Sequence, residues 1–316
     1  MRPLDIATQV LEVFAALAAA PLFIGWINQC RAWLQNRRAP SLWLPYRGIR
    51  KLFHKEAVIA ENASPLFRIT PYIVFGAMVV AAAIIPSMGT GLPLSTAADA
   101  IALVGLFATA RVFISLAAMD IGTAFGTLGA RREMMVGFLA EPALLMVVFV
   151  ASLISATTEL PAITENLATQ HLGLYPGLAF TAIAFTMVLL AENARIPIDN
   201  PATHLELTMI HEALVLEYSA RHLALLEWAS ALKLFNYACI GFALFVPWGV
   251  STGVGGPLAL LASVPVLAVK LLAAGAALAL IETVSAKVRV FRAPEFLATA
   301  FLFAVLGMLV HLLLGS

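Results

Sequence analysis

The sequence predicts an all-α integral membrane protein with eight transmembrane helices. Three observations carry that prediction: composition, a series of long apolar runs, and the uneven placement of basic residues. Of 316 residues, 61% are hydrophobic and 12% charged, with a mean hydropathy of +0.94. Soluble domains are about 45–50% apolar and about 25% charged. A water-soluble chain of this length leaves about a quarter of its surface wet, and too few polar residues exist here to cover it. Disordered chains are polar and charge-rich, which excludes disorder. Nineteen basic and eighteen acidic residues leave a net charge of +1, a balance that suggests no nucleic-acid partner.

A hydrocarbon core about 30 Å thick takes about 20 mostly apolar helical residues. Runs of that kind cover 5–27, 70–88, 97–119, 135–157, 176–193, 230–249, 258–282 and 294–314. The fifth is the shortest and is ended by Pro197. With no internal repeat and no low-complexity segment, residues 1–316 read as a single polytopic membrane domain.

The basic residues set the expected orientation. The first connection, 28–69, carries Arg31, Arg37, Arg38, Arg47, Arg50, Lys51, Lys55 and Arg68. The third carries Arg131 and Arg132, the fifth Arg195 and Arg221, and the seventh Lys287, Arg289 and Arg292. The even-numbered connections and the C-terminal tail carry none. The positive-inside bias therefore predicts odd connections in the cytoplasm and both termini outside. The two large cytoplasmic loops would be 28–69 and 193–229, the latter with a surface helix.

Arg2, an apolar stretch and Ala18-Ala19-Ala20 have the outline of a signal peptide. Asp5 and Glu12 interrupt it, and eight basic residues follow against one before, so the segment reads as the first span. Cys30 and Cys239 stand alone in the sequence. Iron–sulfur clusters need about four thiolates, so redox centres are expected on partner chains, with no metal site on this one.

Ionisable groups inside spans face the protein interior, pair, or line a path for ions. Here they are Glu12, Arg111, Asp120, Glu141, Glu192, Lys233, Lys270 and Glu282. Glu12 and Asp120 lie near span boundaries, where reaching the headgroups is the alternative. Lys270, near the middle of its span, is either a proton-path residue or half of a structural ion pair.

The stretch 192–228 is the most informative. Asn200 and Pro201 make a good helix start. Continued as a helix, Glu206, Ile210, Ala213 and Glu217 fall on one stripe, and His204, His211, Tyr218 and His222 on another. Carboxylates on one side and imidazoles on the other suit proton handling, with a solvated, partner-contacting face as the alternative. His211-Glu212 lacks the second histidine of a zinc protease, since position 215 is Val215. Gly122, Gly126 and Gly129 lack the Lys-Ser/Thr ending of a phosphate loop and read as helix packing or a turn.

Glu192-Asn-Ala-Arg195-Ile-Pro197-Ile-Asp199, continuing to Glu217-Tyr218-Ser219, resembles the large cytoplasmic loop of the complex I subunit 1 family. That family comprises a membrane subunit of NADH–quinone oxidoreductase and its counterpart in group 4 NiFe hydrogenases of the formate hydrogenlyase type. Asn36-Arg37-Arg38-Ala39-Pro40 with Tyr46-Arg47-Gly48-Ile49-Arg50-Lys51-Leu52 is similar to the family's first loop. Asp120-Ile-Gly122-Thr-Ala-Phe125, Leu128-Gly129-Ala-Arg-Arg132-Glu133 and Glu141-Pro142 look like the hydrogenase branch.

The resemblance implies a membrane-anchor and coupling subunit in the plasma membrane of a prokaryotic cell. Its loops would dock a peripheral arm carrying Fe–S clusters, with a Ni–Fe centre in the hydrogenase form, and its sides would contact antiporter-like subunits. Glu141, Glu192, Arg195, Asp199 and Glu217 match motif positions, with Glu206 and Glu212 standing in for further acids. With Lys270 these form the expected proton path. Arg37, Arg38, Arg47, Lys51, Arg132, His204 and His211 form the expected docking set. The altered series between Asp199 and Glu217, and Ala39 in place of the family's glycine, argue against a quinone chamber of the complex I type. A quinone-reactive subunit of the complex I type, a stand-alone secondary transporter and a passive scaffold are the competing readings. The transporter is disfavoured by the absence of paired, interrupted helices in matching halves.

Overall fold

The computed structural model describes residues 3–91, 93–94, 99–169, 176–199, 209–251, 256–286 and 292–314. Among these there are helices and two isolated β-bridges, and no strands. Helices are the expected answer, because lipid offers the backbone no hydrogen bonds and each span must satisfy its own.

In chain order the helices are α1 (Pro3–Leu34), α2 (Leu44–Phe53), α3 (Pro65–Ile84), α4 (Ala100–Asp120), α5 (Ala124–Ser155) and α6 (Leu160–Thr169). They continue with α7 (Pro176–Glu192), α8 (His211–Val215), α9 (Ala220–Phe245), α10 (Gly256–Val284) and α11 (Ala293–Leu314). All eight apolar runs are therefore helices. Seven are long and apolar enough to cross a membrane, and α7, with 17 residues, is shorter. Its length of about 26 Å falls just under a typical hydrocarbon thickness. α5 and α9 begin well before their apolar runs, because polar helical turns project past the lipid-facing portion.

Local chemistry explains the helix starts. Ser64 caps α3 by accepting from Leu66 N at 3.1 Å, with Pro65 in the first turn. Asp99 caps α4 and Thr123 caps α5 in the same way. Asp120, at the end of α4, accepts from Ser64 N at 2.9 Å and so ties two helix termini together instead of reaching for headgroups. Gly122 supplies the positive φ of the turn between α4 and α5.

α9 is the most buried spanning helix, whereas α10 and α11 are the least. α3 packs between α4 and α9, α10 lies chiefly along α1, and α11 sits between α5 and α7. At the α7–α11 crossing, a Cβ on Gly177 would strike the Gly307 carbonyl, and one on Gly307 would strike Thr181 and the Gly177 carbonyl. Only small residues let two backbones approach this closely in lipid.

One sequence expectation changes here. Over its described part, the 193–229 segment is not one surface helix. α8 stops at Val215, Ser219 is extended (φ −134, ψ 162), and Ala220, the first residue of α9, takes φ 48. Tyr218 is instead drawn into the bundle, stacked on Phe67 at 3.9 Å, with its hydroxyl donating to the Phe67 carbonyl at 3.0 Å. His211 and His222 thus sit on different helices. Asn200, Pro201, His204 and Glu206 lie outside the described residues.

Gly307→Leu should force α7 and α11 apart and cost about 2–3 kcal/mol, as overpacking does. Thermal denaturation in detergent, followed by loss of the monodisperse species, reads this out, and an unchanged profile would contradict the close crossing.

Candidate functional site

Four spanning helices converge on Arg111 of α4. On α5, Glu133, Gly137 and Glu141 are spaced four residues apart and share one face. The Arg111 side chain crosses that face over Gly137, where even a Cβ would collide with it. Its Nε donates to Glu133 Oε1 at 3.3 Å and its Nη1 to Glu141 Oε1 at 2.7 Å. Its Nη2 pairs with Glu192, the last residue of α7.

Lys233 of α9 completes the set. Its Nζ lies 3.0 Å from Glu192 Oε2 and donates to the Glu192 backbone carbonyl at 2.7 Å. That carbonyl is an orphan of the α7 C-terminus, where a cation is favoured. Three carboxylates and two cations give the cluster a formal charge of −1. The side chains of Arg111 and Glu192 are almost fully buried, while that of Glu141 is 33% exposed. Beside it on α5 the outward residues are Met134, Phe138 and Leu145, so Glu141 opens sideways through the wall of the bundle.

A second cluster lies at the loop-bearing end. Glu282 of α10 receives Arg195 Nη1 at 3.1 Å and Arg31 Nη1 at 3.5 Å. Burial pulls the Arg195 guanidinium below its ordinary pKa, and Glu282 works against that shift. Asp199 Oδ2 accepts from the backbone of Ile210 and His211, each at 3.2 Å, closing the loop onto the start of α8.

Between the clusters lie two adjoining cavities with charged groups set among apolar walls. A cavity of about 370 Å³ is lined by Arg31, Arg195, Asp199, His211, Glu212 and Glu227, among others. A narrower one of about 60 Å³ reaches Arg111, Glu133, Glu192 and Lys233. Asn193, His211, Val215, Leu226 and Ser230 line both, so the two adjoin.

Of the expected path residues, Glu141 and Glu192 meet at Arg111, whereas Arg195, Asp199 and Glu212 surround the larger cavity. Glu217 is exposed in the turn after α8, and Glu206 lies outside the described residues. Lys270 stands apart from these, donating to the Val246 carbonyl at 2.6 Å. Of the expected docking residues, Arg37, Arg38, Arg47 and Lys51 are exposed, the last two on one face of α2 with Arg50 and His54. Arg132 is partly buried and holds the loop by donating to the Met209 carbonyl at 2.9 Å. His211 faces the cavities, and His204 lies outside the described residues.

Glu133 and Glu282 complete the two clusters although neither was in the expected path. The Glu133–Gly137–Glu141 spacing was the signal for the first, and Glu282 was visible only as an in-span charge.

The sequence model of the NADH dehydrogenase family matches residues 6–313. The chain belongs to that family. Formate hydrogenlyase subunit 4 of Escherichia coli (strain K12) is 31% identical over 305 residues, covering 96% of this chain and 98% of that protein. Hydrogenase-4 component C of the same organism is 35% identical over 234 residues, covering 74% and 73% respectively. A chain of the membrane-bound sulfane sulfur reductase, an archaeal respiratory membrane complex, shares the fold. It has a TM-score of 0.84 at 21% identity, covering 96% of this chain and 98% of that one. The complex I-like family resemblance read from the loop motifs thus holds across almost the whole chain.

Arg111→Ala would leave three carboxylates around one buried cavity and cost about 3–5 kcal/mol. Arg111→Lys should recover only part, because an ammonium cannot reach three acceptors in a fork. The yield of detergent-stable protein ranks the variants, and an Arg111→Ala protein as stable as wild type would contradict the cluster.

Proposed function

We propose that this chain is the membrane-anchor and coupling subunit of a multi-subunit, redox-driven ion-translocating complex of the hydrogenase-4/formate hydrogenlyase type. The observation that carries this reading is the pair of adjoining cavities from the loop-bearing end to a buried cluster of net charge −1 that opens sideways at Glu141. The family membership and the two bacterial relatives support it.

In this reading the loop-bearing end faces the cytoplasm of a prokaryotic cell. Exposed Arg37, Arg38, Arg47 and Lys51 dock a peripheral arm with Fe–S centres and a NiFe-type active site. Charge arriving at the arm alters the field around His211, Glu212 and Arg195. A proton passed between Glu192 and Glu141 then shifts, because closely placed carboxylates are coupled. Glu141, the partly exposed member, hands it to an antiporter-like neighbour seated against α5.

A complex I-type quinone site fits these residues poorly. The larger cavity carries Arg31, Arg195, Asp199, His211, Glu212 and Glu227 beside Ile24, Val215, Leu223 and Leu226, a more charged lining than the mainly apolar walls that suit rings and tails. Water and protons suit this lining better. A stand-alone transporter would instead catalyse flux as an isolated chain in liposomes.

Glu192→Gln and Glu141→Gln in the assembled complex should preserve electron transfer within about twofold and lower coupled proton translocation by about tenfold or more. Inverted membrane vesicles with a pH-sensitive dye measure both, and wild-type pumping in both variants would contradict the proposal. Arg47→Glu with Lys51→Glu should make arm binding weaker and salt-sensitive, as read by co-purification at rising ionic strength. Unchanged co-purification would remove these residues from the docking surface.

A further inference from the structure

A second set of buried polar groups lies at the opposite, terminus-bearing end. Glu12 is only 2% exposed. It faces inward with Gln9, Ala16 and Ala20, while Val10, Leu11 and Phe14 face outward. Glu12 therefore does not reach the headgroups, one of the two readings left open by its position in the sequence. Its Oε1 accepts from Ser87 Oγ at 2.6 Å, Met88 N at 2.8 Å and Ser87 N at 3.1 Å. Its Oε2 is buried, the Gly89 backbone N–H also turns toward the carboxylate, and among the described residues no cation is paired to it.

Against Ser87 lies a small, partly open void of about 10 Å³, lined by Ser87, Cys239, Ser263 and Lys270 with apolar residues around them. That volume is about the size that holds one water. Lys270 reaches this region from α10, with its Nζ on the Val246 carbonyl and 5.8 Å from the Phe242 ring. An acid and an amine thus flank one hydroxyl and one water-sized space.

We propose that Glu12, Ser87 and Lys270 form a second proton-holding site, one that continues the proton route through this chain to its terminus-bearing side. The transfer is balanced within the site. The Lys270 ammonium gives a proton to a water in the void, that water gives one to Ser87 Oγ, and the Ser87 hydroxyl proton passes to Glu12. An ammonium and a carboxylate become an amine and a carboxylic acid, with no change in net charge. The observed donation from Ser87 Oγ to Glu12 Oε1 points in that direction. α9 spans the distance between the two sites, carrying Lys233 at one end, Cys239 by the void, and between them buried Asn236, whose Oδ1 has no partner among the described residues. The route rests on the coupling role proposed above, whereas the existence of the site does not.

The test uses the assembled complex in lipid nanodiscs and in vesicles. Infrared difference spectra across a pH change, in H2O and D2O, should contain a protonated-carboxyl band. That band should vanish in Glu12→Gln, shift in Glu12→Asp and be perturbed in Lys270→Met. Pumping per electron should fall about tenfold in Glu12→Gln with electron transfer kept. A spectrum with no band sensitive to Glu12, or a Glu12 band indifferent to Lys270→Met, overturns the site. The band with full pumping in Glu12→Gln overturns the route. Should Glu12→Gln fail to assemble, the wild-type and Lys270→Met spectra with isotope-labelled glutamate decide, because a merely structural Glu12 would not respond to Lys270. Pumping retained in Glu192→Gln alongside a responsive Glu12 band would sink the coupling reading and leave this site standing.

Discussion

One guanidinium inside the membrane constrains the structure around it. Arg111 is buried on α4, and an unpaired charge at such a depth is too costly to keep. Its three carboxylate partners come from α5 and α7, so those helices must approach α4 at fixed heights. Gly137 must lack a side chain for the crossing to occur. α7 must end at Glu192, where Lys233 from α9 can satisfy both the carboxylate and the last carbonyl. Packing of four helices and placement of the acids are thus one problem with one solution. Three acids against two bases also leave the cluster one proton short of neutrality.

The same economy of charge recurs at the two ends of the bundle. At the loop-bearing end, Glu282 sits between Arg31 and Arg195 and joins α1, α10 and the loop after α7. At the other end, Glu12 gathers the backbone turn at Ser87 and Met88. Each buried acid organises a local piece of backbone as well as offering a titratable group. The proton-carrying role proposed for these residues would coincide with their structural one, so readouts beyond stability separate the two.

Much of this was legible in the sequence, for a physical reason. A run of about 20 apolar residues has few alternatives to a spanning helix, so all eight elements could be read directly. The starts of α5 and α9 could not, because Arg131, Arg132, Arg221 and Glu227 belong to helical turns that an apolar run does not include. Glu141 and Glu192 stood out as charges within apolar runs. Their meeting at Arg111 is a contact between helices, which periodicity along one helix cannot specify. Glu133 falls just outside its apolar run and enters the sequence reading only through the Arg132-Glu133 motif, although Gly137 midway to Glu141 marks the face. The expected continuous surface helix gave way at Ser219, where packing of Tyr218 on Phe67 overrides helical propensity.

In the function proposed above, the Arg111 cluster carries a mobile proton as well as holding helices together. Changing Lys233 and Glu192 together to glutamine removes one positive and one negative charge, keeps amide groups in their place and leaves Arg111 paired with Glu133 and Glu141. Such neutral replacement of a buried ion pair is often tolerated. The decisive measurement is the number of protons translocated per electron by the assembled complex carrying both changes. The expected complex assembles and transfers electrons yet translocates few protons. A doubly substituted complex that pumps at the wild-type ratio would reduce the cluster to a structural clamp.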